Sequence, residues 1–300
     1  MNKTKVIFLL GATGSGKTSF AVKLAKFFDG EIISADSVQV FKEFDIGSAK
    51  VTEEEKHGVK HYGIDIKSPN ENFSAGEYVS YTKDCIKQIA KKNKLPIIAG
   101  GTGLYVKALT EGYNFGDAEK DENFRKEIEK QIEQFGLEKV LNDNKQVLDN
   151  LNESDRQNKV RVIRALEIAK FGGDKNKNNT PEFDFKILAL SLPREVLYQK
   201  INKRVDLMIN QGLIEEVQTL YEKYGSCQPM TAIGYKEVLP YLNGEVSIEQ
   251  MSEKIKQNTR HYAKRQLTFL RGIQNVEYVD LNDEQCFEKT KESIKQWLCK

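Results

Sequence analysis

The chain has 300 residues, with 46 Lys and Arg against 44 Asp and Glu, a formal net charge of +2 and four cysteines. This near-neutral balance does not announce a polyanionic partner, so any basic surface must be local. No apolar run approaches the roughly 20 residues of a membrane span, and Cys85, Cys227, Cys286 and Cys299 form no C-x-x-C and no zinc-finger spacing with His57, His61 or His261.

Met1 to Lys5 lead straight into an apolar run without a signal-peptide pattern, so a cytoplasmic protein is expected. Lys5 to Leu10 reads as a buried strand and Lys17 to Phe28 as an amphipathic helix. Between them stands Gly11-Ala12-Thr13-Gly14-Ser15-Gly16-Lys17-Thr18, the phosphate-binding pattern G-x-x-x-x-G-K-[ST]. Glycines let the backbone curl its N–H groups toward a polyanion, and the following helix adds its N-terminal partial positive charge. Lys17 supplies a full charge and the Thr18 hydroxyl a ligand for Mg²⁺. The loop predicts a bound di- or triphosphate and leaves the compound open.

Glu31 to Ser34 is a second strand, His61 to Ile66 a third, Ser74 to Lys92 a helix and Leu95 to Ala99 a fourth strand. Gly100-Gly101-Thr102-Gly103 then turns the chain into another helix, like a second backbone nest or a point of tight helix–sheet packing. Strands alternating with helices predict an α/β fold with a parallel sheet, whose ligands gather at the carboxyl ends of the strands. The phosphate loop, Asp36 and the Gly100–Gly103 turn each follow a strand and are expected in one crevice. There Asp36 can act as a base or a metal partner, or simply cap the next turn.

Beyond Gly112 the pattern turns charge-rich and helical, as in Asp121 to Gln134 and Ser154 to Phe171. Within the latter, Arg156, Gln157, Lys159, Arg161 and Arg164 read as one helix, with Gln157, Arg161 and Arg164 on a shared face. Gly172 to Pro181 carries no apolar period and reads as a loop or hinge. Phe183 to Leu192 restores a strand. Helices follow at about 194–211, 213–224, 235–242 and 247–271, the last opened by a Ser247/Gln250 capping box. Val276 to Val279 is a short strand and 283–298 a closing helix. The expected organisation is a phosphate-loop core, 1–113 with 184–300, interrupted by an all-helical insert, 114–183. Lys254, Lys256, Arg260, His261, Lys264, Arg265 and Arg271 form a second basic run.

Read in order, these segments resemble the bacterial tRNA dimethylallyltransferase family. The likeness rests on Gly11–Thr18, Asp36–Phe41, Asp45–Lys50, His61–Asp65, Phe73–Tyr78, Gly100–Tyr105, Asp155–Glu167, Arg204–Met208, Gly212–Val217, Ile233–Glu237 and Thr259–Gln266, nearly the whole chain. It implies transfer of a dimethylallyl group from dimethylallyl diphosphate to N6 of adenosine 37, in tRNAs reading codons that begin with U. It further implies Asp36 as general base, with Thr13 and Lys17 at the catalytic centre. Gly11, Ala12, Thr13, Gly14, Ser15, Gly16, Lys17, Thr18 and Arg260 would hold the diphosphate, with Mg²⁺ on Thr18. Asp36, Ser37, Val38, Gln39, Thr102, Arg125, Gln157, Asn158, Lys159, Val160, Arg161, Lys264 and Arg265 match positions that meet the tRNA. The insert becomes the arm gripping the anticodon stem-loop, and a monomer without an obligate protein partner is implied. Phe41 and Phe269 depart from the family's usual Tyr and Trp. The rival readings are a small-molecule kinase, a prenyltransferase acting on free adenine nucleotides, and a non-catalytic RNA-binding protein.

Overall fold

The computed structural model describes residues 3–110, 121–171 and 181–300. The chain divides into two units, Met1–Thr110 with Pro181–Lys300, and Glu111–Thr180. The larger opens with β1 (Lys5–Gly11), α1 (Lys17–Phe27), β2 (Gly30–Ala35), α2 (Glu53–Lys56), β3 (His61–Tyr62), α3 (Ala75–Lys91), β4 (Leu95–Gly100) and α4 (Gly103–Thr110). The smaller holds α5 (Glu122–Phe135), α6 (Leu137–Asp143), α7 (Lys145–Leu148), α8 (Glu153–Arg156) and α9 (Lys159–Phe171). The larger resumes with β5 (Asp184–Ser191), α10 (Arg194–Asn210), α11 (Leu213–Tyr224) and α12 (Leu239–Leu242). It ends with α13 (Ile248–Arg271), β6 (Val276–Asp280) and α14 (Cys286–Leu298).

The six strands run in the order β3-β2-β4-β1-β5-β6, every pair parallel. Val6 to Leu10 are buried without alternation because helices cover both faces of the sheet. Ile7 and Leu9 join Leu24 of α1 and Ile294 of α14 on one side. Phe8, pointing the other way, meets the Phe185 ring. The expected α/β fold with a parallel sheet is the observed one.

Three expected elements are shorter than the periodicity implied. The strand at His61 stops at Tyr62, since Gly63 (φ 76°) and Asp65 (φ 55°) are left-handed. The helix expected over 235–242 begins only at Leu239. Pro240 lacks an N–H and is tolerated in a first turn but not in a helix interior. The helix expected from Ser154 is broken at Gln157 and Asn158, where Asn158 Oδ1 accepts from the Val160 and Arg161 N–H groups. Asparagine there caps rather than continues a helix, so Gln157 lies outside α9 and shares no helix face with Arg161 and Arg164. The hinge expected at Gly172–Pro181 lies, but for Pro181, outside the described residues. Among the described residues no helix is long and apolar enough to cross a membrane.

The smaller unit has its own apolar core of Phe124, Ile128, Val140, Leu148, Val162, Ile163 and Leu166. Beside it lies a buried charge. Glu167 accepts from Arg125 Nε (2.9 Å) and Nη2 (2.7 Å), from Arg164, and from the Asp121 N–H. Burial alone would push the Glu167 carboxyl up, but these donors hold it down at about 2. Its contribution to stability is therefore complete above the unfolded value of about 4.3 and lost as pH falls through about 2. Glu167→Gln should destabilise this unit by about 2–3 kcal/mol at neutral pH, less than a fully buried pair because both arginines are partly exposed. Faster amide exchange across α5 and α9 in the full chain is the readout. The variant should also lose less stability than the parent between pH ~4 and pH ~2.

Candidate active site

β1 delivers the chain to Gly11, and the loop to Gly16 turns it into α1. Gly14 (φ 79°) and Gly16 (φ 87°) are left-handed, the conformation glycine adopts without strain. No side chain caps α1, so its first-turn N–H groups remain available to an anion. Lys17 Nζ curls back to the Ala12 carbonyl at 2.8 Å. Burial pushes this ammonium down to about 8; the Asp36 carboxylate opposes the shift and the Arg204 guanidinium adds to it. The Thr18 hydroxyl is exposed and makes no hydrogen bond with any described residue.

Asp36 follows β2. Its Oδ1 accepts from the N–H groups of Val38 (2.8 Å) and Gln39 (3.2 Å), while Oδ2 has no partner among the described residues. One oxygen of this carboxylate is thus committed to capping the turn and the other is open. Gln39 does not project freely: its amide accepts from Ser34 Oγ and donates to the Ser48 and Ala49 carbonyls. Ser37 is exposed and Val38 half-buried.

The field of Asp36 reaches residues that sequence reading left unassigned. Arg204 of α10 is half-buried with no hydrogen bond to any described residue; burial lowers its pKa and Asp36 opposes that. It lies one turn beyond Ile201, whose side chain packs where a Cβ on Gly14 would stand. That contact joins residues 14 and 201, so nothing in the sequence around Arg204 marks it. Tyr78, Tyr105 and Tyr262 are each pushed up chiefly by burial and further by Asp36, Tyr262 to about 12. The Tyr78 and Tyr105 rings are stacked at 3.7 Å. One carboxylate, two enclosed cations and an aromatic wall therefore share one region.

The Gly100–Gly103 turn is not a second nest. None of its glycines has positive φ, whereas a nest needs left-handed residues. Each is required by a close neighbour instead. A Cβ on Gly100 would stand 2.3 Å from the Ala35 carbonyl, on Gly101 2.2 Å from Gln266 Nε2, and on Gly103 2.9 Å from the Phe269 ring. The turn still borders the phosphate loop. Gln266 of α13 accepts from the Thr13 N–H at 2.8 Å and donates to the Gly101 carbonyl at 3.0 Å. Thr102, half-buried, lies beside Tyr262.

Arg260, expected on the diphosphate, is held by Asn202 (2.8 Å) and Glu253 (2.8 Å). Lys264 and Arg265 are exposed on α13, Arg265 over the Tyr262 ring at 5.7 Å. In the smaller unit, Arg125 is the bidentate partner of Glu167. Gln157, Asn158, Lys159, Val160 and Arg161 form the exposed or half-exposed junction of α8 and α9, with Arg161 paired to Asp155. The structure thus gathers Gly11–Thr18, Asp36 and Thr102 in the larger unit, and 157–161 at one junction of the smaller.

Comparison with known proteins puts this arrangement in a family. The family model described as IPP transferase matches residues 39–273. A protein of Streptococcus agalactiae called tRNA dimethylallyltransferase is 42% identical over 301 residues, covering 99% of both chains. One of the same name from Caldanaerobacter subterraneus is 41% identical, covering 98% of this chain and 97% of its own. The crystal structure of a full-length tRNA isopentenylpyrophosphate transferase from Bacillus halodurans superposes with a TM-score of 0.75 at 38% identity, covering 98% of this chain and 96% of that one. A eukaryotic dimethylallyltransferase acting on tRNA gives 0.81 at 26% identity, covering 97% and 78%. The chain belongs to the IPP transferase family.

Proposed function

We propose that the chain transfers the dimethylallyl group of dimethylallyl diphosphate to N6 of adenosine 37 in tRNAs reading codons that begin with U. The reading is carried by one observation: Asp36 keeps Oδ2 open in a region where its field meets the cations Lys17 and Arg204. Full-length likeness to proteins called tRNA dimethylallyltransferase supports the choice of donor and acceptor.

The N6 lone pair is delocalised into the purine, so nitrogen attacks well only as its proton is drawn off. In the step proposed, the bond from N6 to the allylic carbon forms and the carbon–oxygen bond to diphosphate breaks. The N6 proton passes to Asp36 Oδ2. Charge develops on the leaving diphosphate, where Gly11 to Thr18, and above all Lys17, stabilise it more than they stabilise the ground state. Arg204 joins this set; Arg260 serves it from the Asn202 and Glu253 pair. Thr13 lies at the reacting end of the loop.

Mg²⁺ fits the donors present. The Thr18 hydroxyl is unengaged, Asp36 Oδ2 is open, and among the described residues no three His, Cys, Asp or Glu side chains gather into a protein cage. Mg²⁺ prefers such sparse sites, taking phosphate oxygens and water as its other ligands. Bound on Thr18 with the donor, it would help neutralise the departing diphosphate.

Ser37, Val38, Gln39, Thr102, Lys264 and Arg265 are proposed to meet the tRNA from the larger unit. Arg125 and Gln157 to Arg161 do so from the smaller, whose 114–183 span is the proposed grip on the anticodon stem-loop. Adenosine 37 must leave its stack to be reached, at a cost of a few kcal/mol. The protein is proposed to act as a cytoplasmic monomer.

Incubation with Mg²⁺, labelled dimethylallyl diphosphate and unmodified tRNA should place label on tRNA, with AMP and ATP in parallel remaining unlabelled. Label on AMP alone, or phosphate transfer from ATP, overturns the reading. Asp36→Asn keeps an oxygen for the Val38 and Gln39 N–H groups but removes the base. Its kcat should fall by about 10²–10⁴-fold while tRNA affinity stays within about twofold; preserved turnover with lost binding refutes the base.

Lys17 gives a pH signature. The free ammonium titrates at about 8, and a bound diphosphate raises that value, so binding takes up a proton above it. Affinity for inorganic diphosphate should weaken by up to about tenfold per pH unit above about 8, beyond any change in a parallel Lys17→Gln titration. Parallel curves for the two proteins remove Lys17 from the binding step.

A further inference from the structure

α13 sends one polar side chain into the protein between two loops of distant sequence. Gln266 is 7% exposed. Its Oε1 accepts from the Thr13 N–H at 2.8 Å and its Nε2 donates to the Gly101 carbonyl at 3.0 Å. An amide is the neutral side chain that presents an acceptor and a donor side by side, the pair these two backbone groups require. Its neighbour on the helix, Ala263, packs against Ala12, Leu197 and Ile201, so the backbone that carries Gln266 is itself fixed beside the loop. Gly101 has room for no more than hydrogen: a Cβ there would stand 2.2 Å from Gln266 Nε2 and 3.0 Å from the Gly11 carbonyl.

We propose that Gln266 is a positioning residue that clamps the phosphate loop to the Gly100–Gly103 turn and thereby fixes the geometry in which the diphosphate is held. The proposal rests on the reading of the loop as the diphosphate site. The Thr13 N–H is committed to Gln266 and turned away from the ligand. The Ser15 N–H turns back to the Ala12 carbonyl at 3.2 Å, so the N–H groups left to converge on phosphate are those of Gly14, Gly16 and the first turn of α1. Without the amide, the Thr13 N–H and the Gly101 carbonyl lose buried partners, and the loops relax by recruiting water or moving apart. Catalysis depends on donors held at the place where charge develops, so a small displacement costs rate as well as affinity.

Two substitutions attack the contact from opposite sides. Gln266→Met keeps the length and removes both hydrogen bonds, and Gly101→Ala drives a methyl into the amide. Each should weaken binding of inorganic diphosphate by about tenfold and lower kcat/KM for dimethylallyl diphosphate by about 10–100-fold, with tRNA affinity within about twofold. Amide exchange should quicken at residues 11–15 and 100–103. Because both break one contact, their losses in diphosphate affinity should not add in the double variant. Gln266→Glu keeps the acceptor for Thr13 and loses the donor to Gly101, and so serves if either variant fails to fold. Its amide exchange should quicken at 100–103 and stay slow at 11–15. Wild-type diphosphate affinity in any folded variant, or additive losses in the double variant, overturns the clamp. Since diphosphate binding and amide exchange are read without the prenyl donor or tRNA, a failure of the proposed transfer reaction in the wild-type protein is separately visible.

Discussion

At the carboxyl end of β4, Gly100 lies so near Ala35 of β2 that a Cβ on it would stand 2.3 Å from the Ala35 carbonyl. The pairings Ala35↔Gly100 and Leu10↔Gly100 end β2, β4 and β1 at one level. A side chain at Gly100 would pry β2 from β4, and the consequences would not stay local. Asp36 is the first residue after β2, the phosphate loop begins at the end of β1, and Thr102 follows two residues after Gly100. A parallel sheet puts all its carboxyl ends on one edge. How far apart Asp36 and the phosphate loop stand then follows from the spacing of the hydrogen-bonded strands, which Gly100 leaves undisturbed.

Given that placement, the charges follow a consistent logic. Enclosing Lys17 and Arg204 costs solvation, and Asp36 offsets part of it for both. Asp36 acts on both cations and Glu55 on Arg204 as well, and a bound diphosphate would add countercharge that offsets the rest of their lost solvation. The carboxylate is meanwhile kept from collapsing onto either cation, because the Val38 and Gln39 N–H groups fix its Oδ1. A turn that caps itself with the Asp36 carboxylate fixes the orientation of the remaining oxygen without a second residue.

The fold was largely legible because strands such as β1 are unbroken apolar runs, the helices carry an apolar period, and α13 opens with the Ser247/Gln250 capping box. The phosphate loop was legible because its chemistry is local in sequence. What the sequence concealed has a common cause. Gln266 serves Thr13 across 253 positions, and Arg204 faces Asp36 from another helix; no local pattern marks either. A glutamine on a helix reads as surface until its neighbours are known. The Gln157–Asn158 break was hidden differently: asparagine has ordinary tolerance for a helix interior, and its choice to cap is decided by packing around it. The glycine turn stayed open between a nest and tight helix–sheet packing, and the structure shows the packing. Its composition suggests a nest, but composition cannot tell a glycine needed for left-handed φ from one needed for close packing.

That distinction bears on how the two sides of the cleft divide their work. The phosphate loop has left-handed glycines and an uncapped helix, so apart from the engaged Thr13 and Ser15 N–H groups its backbone is open to an anion. The Gly100–Gly103 turn has no left-handed glycine, and its glycines accommodate Ala35, Gln266 and the Phe269 ring. One loop is shaped around a ligand and the other around the protein. A similar separation runs through the smaller unit, where Arg125 is engaged by a buried glutamate while the α8–α9 junction leaves Lys159 and Val160 exposed. A guanidinium already bidentate to Glu167 has fewer donors left for any other partner, and it ties α5 to α9. Residues that coincide in a family motif therefore do different physical work, and the hydrogen-bond partners of each one separate the binders from the supports.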